Sequence, residues 1–212
     1  MSDMKVIRLG DDFVARPSDD TQYSSRYTDG EKFILCVGTL EIRKNQVALL
    51  HAYRILDKRY PGLLPKLVLV GRKGWIDSEI DFQVENDRAL NGLVDVITDA
   101  SDNELSWLYS NCLFTLFPAL YEGWGLPVSE SLWHGKPCIS SNTSSMVEIA
   151  PELTIFASPY SVESWVDQIE CLLFKPGMLD KQTEKVLREY VPTEWCNTAA
   201  TIKDVIFEEY TK

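Results

Sequence analysis

The sequence is 212 residues long, with 45% hydrophobic and 25% charged residues, which suffices for one sizeable hydrophobic core. It contains no run of about eighteen apolar residues, so no transmembrane segment is predicted. The formal net charge of −11 disfavours nucleic-acid binding, because an acidic surface repels phosphate backbones. In so acidic a chain, any local cluster of arginine and lysine becomes informative.

The cysteines are scattered along the chain and form no CxxC or Cys/His cluster. They are Cys36, Cys112, Cys138, Cys171 and Cys196. This pattern predicts buried free thiols, rather than a zinc site or disulfides, in a reducing compartment. We therefore expect a cytoplasmic protein, with peripheral attachment to the inner face of a membrane as an open alternative.

From residue 33 onward, short apolar runs that predict strands alternate with longer amphipathic runs that predict helices. The candidate strands are Phe33–Val37, Leu67–Val70, Val94–Ile97, Leu113–Phe117, Pro137–Ser140 and, more weakly, Leu153–Phe156. The candidate helices are Asn45–Arg59, Asn103–Ser110, Pro127–Trp133, Val162–Phe174, Leu179–Glu189 and Thr193–Tyr210. This alternation predicts an α/β fold in which helices cover a parallel sheet. We assign residues 1–32 to a polar lead-in and residues 33–212 to one domain.

Ligands of such sheets bind beyond the carboxyl ends of the strands, so the loops there are the candidate binding segments. The first loop begins at Gly38, where glycine lets the backbone turn closely. Arg43 and Lys44 follow and place two cations beside a helix N-terminus, where anions are favoured. On an extended loop these side chains could grip two phosphates. The alternative is a solvated surface pair.

The next two loops are less decisive. Arg72 and Lys73 lie between Gly71 and Trp75, again directly after a strand, and predict either a further phosphate or base contact or a simple basic turn. The third loop predicts that Ser101 or Asp102 caps the following helix, with Glu104 nearby. No side chain in the third loop indicates a ligand.

The fourth segment joins two acids to a glycine-rich helix start, in the run Glu122-Gly123-Trp124-Gly125-Leu126-Pro127, followed by Glu130. Pro127 suits the first turn of a helix, and Gly135 suits its C-terminal end. Gly123 and Gly125 would let a ligand touch the backbone near the positive end of the helix. Glu122 precedes the helix and Glu130 is expected in its first turn, where a carboxylate can accept hydrogen bonds from a sugar or ribose diol. The simpler explanations are dipole compensation by Glu130 and a tight turn around Trp124.

The run from Glu122 to Glu130 resembles the Glu-x7-Glu signature of retaining glycosyltransferases with the GT-B fold, in particular glycosyltransferase family 4. Segments elsewhere agree with this resemblance: Arg43-Lys44-Asn45 after a strand that ends in glycine, Leu67–Gly71, Asp102–Leu105, and Gly135–Glu148. The resemblance extends from about Leu35 to Glu148. It implies that the α/β fold is a Rossmann-like lobe of a GT-B enzyme.

The resemblance also implies roles for individual residues. Arg43 and Lys44, beside Gly38, would hold the diphosphate of a nucleotide sugar. Glu130 would bind the ribose hydroxyls. The transferred sugar would contact Glu122, the expected catalytic carboxylate, and the backbone from Gly123 through Trp124 and Gly125 to Leu126. The run Gly71–Trp75 is similar to that of mannosyl- and rhamnosyl-type transferases, which favours GDP-mannose, while UDP- and dTDP-sugars stay open.

Neither a metal nor another cofactor is expected, because cationic side chains and a helix dipole can neutralise a leaving diphosphate. The sequence agrees, since it has no DxD motif and no His/carboxylate cluster at ligand spacing. His134 directly precedes Gly135, so we assign it to helix termination rather than catalysis.

The predicted function is transfer of a hexosyl group from a nucleotide-diphosphate sugar to a glycan or lipid-linked acceptor. Met1–Asp12 resembles the crossover between the two lobes of such enzymes, and residues 193–210 resemble the terminal helix that packs towards the other lobe. We therefore expect an N-terminal acceptor lobe to be supplied in cis or in trans. The alternatives are a non-catalytic nucleotide-sugar-binding module and another GT-B enzyme, such as a phosphorylase or an epimerase.

Overall fold

The computed structural model describes residues 7–10, 26–27, 30–74 and 78–210 of the chain. Six parallel strands form one sheet in the order β3-β2-β1-β4-β5-β6. They are β1 (Phe33–Val37), β2 (Lys66–Val70), β3 (Val94–Ile97), β4 (Thr115–Phe117), β5 (Cys138–Ser141) and β6 (Ile155–Ala157). The predicted parallel sheet is confirmed. Most of the predicted lead-in lies outside the described residues.

The helices that flank the sheet are α1 (Gln46–Arg59), α2 (Ser78–Asn86), α3 (Asp102–Asn111), α4 (Leu126–Trp133), α5 (Val162–Phe174), α6 (Met178–Glu189) and α7 (Trp195–Tyr210). Two 3₁₀ turns, Ile42–Lys44 and Ser144–Glu148, lie in the loops after β1 and β5. Helix α2 was not predicted. It presents few apolar residues to the core, with Ile80 buried and Val84 partly buried, and so carries a weak periodic signal.

Successive residues of a strand point to opposite faces of the sheet, and helices cover both faces. In β1, Ile34 and Cys36 pack with helices α1 and α5, whereas Phe33 and Leu35 pack with helix α3. Apolar runs without polar alternation are therefore what this sheet requires, and such runs made the strands predictable. The arrangement leaves the carboxyl ends of the strands, with their loops, at one edge of the sheet.

The thiols divide by their position in the fold. Burial raises the pKa values of Cys36, Cys112 and Cys138 to about 12, so these three are inert core thiols as predicted. Cys171 is half-buried and Cys196 is exposed, so the prediction of burial is wrong for Cys196. Cys196 lies in the first turn of α7, which is largely exposed.

Helix α7 lies against the segment 7–10. The Thr198 hydroxyl donates to the backbone oxygen of Arg8 at 2.9 Å, and Trp195 packs so closely on Gly10 that a Cβ there would lie 2.6 Å from the indole. Ile202, Ile206 and Phe207 on α7 are exposed. No helix in the described part of the chain is long and apolar enough to cross a membrane. The assignment of both segments to a lobe boundary stays a prediction.

Candidate functional site

The two cations of the first loop lie on the 3₁₀ turn Ile42–Lys44, not on the extended loop that we predicted. Asn45 follows in the left-handed conformation, with φ of 57°, and joins this turn to helix α1. Its side-chain amide donates to the backbone oxygens of Pro118 and Pro159, each at 3.1 Å. One asparagine therefore ties the loop after β1 to the loops after β4 and β6.

The turn places both cations on one carboxylate. Glu122 Oε1 lies 2.6 Å from Arg43 Nη1 and 2.7 Å from Lys44 Nζ. The Lys44 and Glu122 side chains are 13% and 12% exposed, compared with 46% for Arg43. Arg43 also donates to the Tyr121 backbone oxygen at 2.9 Å and to Glu41 Oε1 at 2.7 Å. The hydrogen bond to Glu122 is the main cause that raises the pKa of Arg43.

Two serines hold the acidic loop in place. Ser144 Oγ donates to the Glu122 backbone oxygen at 2.6 Å, and Ser145 Oγ lies 2.9 Å from the backbone oxygens of both Glu122 and Trp124. Both serines belong to the 3₁₀ turn after β5. Sequence reasoning gave them no role, although their place just beyond a strand end was a usable signal.

The two glycines around Trp124 differ. Gly125 is buried, has φ of 104°, and precedes α4, so this position needs glycine for the turn itself. Gly123 is exposed, and a Cβ there would meet no atom within 4 Å. The Trp124 indole N–H is buried and has no acceptor among the described residues. Leu126 is the first residue of α4, so the positive end of this helix adjoins the glycine turn.

Glu130 lies in the second turn of α4, so its predicted place in the first turn is wrong. The helix begins one residue earlier than expected because Gly125 can adopt the left-handed turn that starts it. Glu130 Oε2 accepts a hydrogen bond from the Tyr109 hydroxyl of α3 at 2.7 Å. Burial raises the pKa of Glu130, whereas the Tyr109 hydroxyl and the charge of Lys44 act in the opposite direction.

Tyr109 is a further residue of this region to which the sequence assigned no role. Burial and the neighbouring Glu130 raise the pKa of its phenol well above the ordinary value, so it stays protonated and donates. Its ring stacks on His134, with centroids 5.2 Å apart, and Ser110 Oγ lies 3.1 Å from His134 Nδ1. In the sequence, Tyr109 looks like an ordinary core position of a helix, so only the tertiary contact identifies it.

The second basic loop runs beside the first. Gly71 packs on Gly38 so tightly that a Cβ at Gly71 would lie 2.0 Å from the Gly38 backbone oxygen. Arg72 and Lys73 are both exposed, and Lys73 pairs with Asp81. Among the described residues, the cations that pair with Glu122 are Arg43 and Lys44, not Arg72 or Lys73. Trp75 lies outside the described residues.

The third loop caps a helix, as predicted. Ser101 is the N-cap of α3, and its side chain accepts a hydrogen bond from the Glu104 N–H at 3.2 Å. Asp99 pairs with Arg26 at 2.6 Å, so its carboxylate has a partner within the chain. In residues 7–10, 26–27, 30–74 and 78–210, no group of three or more His, Cys, Asp and Glu side chains could hold a metal ion. Independence from metal stays a prediction.

A cavity of about 560 Å³ lies at the opposite edge of the sheet, by the amino ends of β1 and β2. It is lined by leucines together with Lys32, Lys66 and Lys175. Lys66 pairs with Asp95 at 3.1 Å and with Glu31 at 3.4 Å. This cavity lies away from the carboxyl ends of the strands, near which Arg43 and Glu122 lie. The loops that follow those strand ends do not line it.

Comparison with known proteins places this chain in a family. Residues 19–190 match the model of the family Glycosyl transferases group 1. The chain belongs to this family. The match includes all four loops beyond the carboxyl ends of β1 to β4, and therefore the residues that meet at Glu122.

The proteins to which this chain is similar include bacterial mannosyltransferases. The chain is 32% identical over 136 residues to O-antigen chain mannosyltransferase B of Escherichia coli. The alignment covers 62% of the chain and 34% of the relative. It is 28% identical over 179 residues to the serotype-specific mannosyltransferase WbdA of Escherichia coli. This second alignment covers 82% of the chain and 21% of the relative. The chain thus spans about a third or less of the length of these two relatives.

The fold is shared with solved structures. The structure of sucrose-phosphate synthase from Thermosynechococcus elongatus superposes with a TM-score of 0.69 and 22% identity, over 86% of this chain and 46% of that chain. The predicted fold, a Rossmann-like lobe of the GT-B type, is confirmed.

Proposed function

We propose that this chain is the donor-binding domain of a glycosyltransferase and holds a nucleotide-diphosphate sugar beyond the carboxyl ends of its strands. The observation that carries the proposal is the meeting of Arg43 and Lys44 at Glu122, next to the start of α4. Two adjacent cations, of which Lys44 is largely enclosed, suit a diphosphate, because ion pairs strengthen where water is partly excluded.

Each part of the donor has a proposed partner. Arg43 and Lys44 hold the diphosphate beside Gly38, and the backbone from Gly123 to Leu126, together with Trp124 and Gly125, faces the transferred sugar. Glu122 binds hydroxyls of that sugar as the catalytic carboxylate, and Glu130 binds the ribose. Arg72 and Lys73, on the adjacent loop, add a contact to a phosphate or to the base.

We propose a hexosyl transfer with retention, of the family 4 type, to a glycan or lipid-linked acceptor. Two of the relatives are named mannosyltransferases, which supports mannose as the sugar and GDP-mannose as the donor. The cations and the α4 dipole would neutralise the leaving diphosphate, so the reaction would need no metal. The setting would be the cytoplasm, with an acceptor presented in solution or at the inner face of a membrane.

Transfer would also need a second lobe for the acceptor, in cis or in trans. The sucrose-phosphate synthase chain is about twice as long as the part that this chain covers. Positioning the two reactants can contribute about 7–11 kcal/mol to lowering a barrier. The described domain should therefore bind donor well and transfer sugar negligibly until an acceptor lobe is added.

Calorimetry of the chain in the presence of a chelator tests the proposal directly. GDP, UDP and dTDP, each with its mannose, glucose or rhamnose conjugate, are titrated, and at least one pair should bind without metal. Release of nucleoside diphosphate with glycan acceptors is then measured with and without an added acceptor lobe. Binding without transfer in both cases would indicate a binding module, and absence of any nucleotide binding would contradict the proposal.

A further inference from the structure

The carboxylate of Glu122 uses its two oxygens differently. Oε1 receives both Arg43 Nη1 and Lys44 Nζ, at 2.6 and 2.7 Å. Oε2 forms no hydrogen bond with any described residue. One oxygen thus contacts two cations, while the other keeps its capacity to accept a hydrogen bond.

A diphosphate that approaches Arg43 and Lys44 has to compete with Glu122 Oε1. The backbone of Glu122 is held by Ser144 and Ser145, so the loop as a whole cannot simply retreat. The side chain must rotate away, or the phosphate must share the cations with a like charge nearby. Either course costs binding free energy, because a half-buried carboxylate loses its partners or faces another anion.

We propose that Glu122 makes this site select a nucleotide sugar over the nucleoside diphosphate that remains after transfer. Both ligands displace the carboxylate from its cations, but only the sugar offers hydroxyl donors that compensate it through Oε1 or Oε2. Binding of the free diphosphate has the same cost without this compensation. Its affinity is therefore lower, which favours release of the product. This inference rests on the proposed function and adds to it a residue that sets the ratio of the two affinities.

Glu41 provides a matched control within the same cluster. Its Oε1 lies 2.7 Å from Arg43 Nη2, so it also competes for Arg43. Its side chain is 26% exposed, and it forms no ion pair with Lys44 among the described residues. Because Glu41 has no proposed contact with the sugar, its removal should affect both ligands alike.

The experiment measures the affinity of inorganic pyrophosphate, a nucleoside diphosphate and its sugar conjugate by calorimetry, for wild type, Glu122→Gln and Glu41→Gln. The nucleotide pair is the tightest of those titrated with wild type. Glu122→Gln should raise the affinity for pyrophosphate and nucleoside diphosphate by about threefold to tenfold, while that for the conjugate stays level or falls. Glu41→Gln should raise all three by similar, smaller factors. Glu122→Asp, which shortens the side chain but keeps the charge, serves if Glu122→Gln fails to fold.

The outcomes separate this inference from the proposed function. If Glu122→Gln leaves the diphosphate affinity unchanged or lowers it, Glu122 does not compete for the cations. If it raises the affinity for diphosphate and conjugate equally, Glu122 is a counter-ion without selectivity. Both results overturn the inference while wild-type binding keeps the proposed function intact. A wild type that binds none of the nucleotides overturns the proposed function itself.

Discussion

The two basic loops after β1 and β2 have similar sequences and lie side by side, yet they are built differently. Arg43 and Lys44 meet a carboxylate from a loop that is distant in sequence. Lys73 instead pairs with Asp81, only eight residues further along the chain, and Arg72 is exposed. The first loop thus differs from the second in two respects: a partner from a distant loop, and the partial burial of one of its cations, Lys44.

The strongest test of this difference replaces one pair of cations. Arg43→Ala with Lys44→Ala should weaken nucleoside diphosphate binding by about 2–4 kcal/mol, because charge-assisted hydrogen bonds are lost. Calorimetry measures the effect. Removing both cations leaves the Glu122 carboxylate without its partners, and such an unpaired charge favours misfolding. The triple variant, which adds Glu122→Gln to Arg43→Ala and Lys44→Ala, removes this charge and serves as the control. Equal affinity for wild type and the double variant would contradict the assignment.

The contact between the two loops can be tested through stability. A Cβ at Gly71 would lie 2.0 Å from the Gly38 backbone oxygen, so Gly71→Ala must push the loops apart. We expect the free energy of unfolding to fall by about 1–3 kcal/mol. Gly123→Ala is the control, because its Cβ meets no atom within 4 Å. Urea denaturation that shows the same loss for both variants would rule out a specific clash.

Tyr109 is a further difference between the two loops, because its hydroxyl supports Glu130 beside the first loop by a hydrogen bond. Tyr109→Phe removes the hydrogen bond that lowers the pKa of Glu130, so this pKa should rise further. The free energy of nucleotide binding should weaken by about 1 kcal/mol. If ribose binding needs the ionised Glu130, affinity decreases as pH falls through this pKa. The variant should therefore lose affinity at a higher pH than wild type.

Glu130→Gln is the reference for that pH profile. It removes the titrating carboxylate, so the acidic loss of affinity should disappear. It should also weaken binding of a ribose nucleotide more than binding of its 2′-deoxy form. Equal losses for both nucleotides would mean that Glu130 supports the loop without contacting the ribose.

The smallest effect is expected at the second loop. Arg72→Ala with Lys73→Ala should change nucleotide affinity by less than about 1 kcal/mol, because exposed ion pairs contribute little. The same calorimetric titration and a salt series measure it. A loss as large as that of the Arg43 and Lys44 pair would show that the exposed loop is an equal part of the site.

Much of the fold was predictable because the buried strands are continuous apolar runs. Phe33–Val37 and Val94–Ile97 were placed at their observed bounds for that reason. The parallel order then brought the strand-end loops together, and with them Arg43, Lys44 and Glu122. Their meeting at one carboxylate oxygen could not be predicted, since Arg43 and Glu122 are 79 residues apart.

The supporting contacts were beyond sequence reasoning for a different reason. A three-residue 3₁₀ turn such as Ile42–Lys44 is too short to produce a periodic pattern. The hydrogen bond from Tyr109 to Glu130 depends on how α3 packs beside α4, which the pattern of each helix does not fix. The roles assigned to the site residues remain predictions that binding measurements can test.

A crystal structure of the chain with its tightest-binding nucleotide sugar, grown with a chelator, tests the central claim most directly. We expect the diphosphate to lie between Arg43, Lys44 and the start of α4, with Glu122 turned from the cations towards a sugar hydroxyl. A diphosphate bound in the cavity of Lys32, Lys66 and Lys175, or held by Arg72 and Lys73 without Arg43, would contradict it.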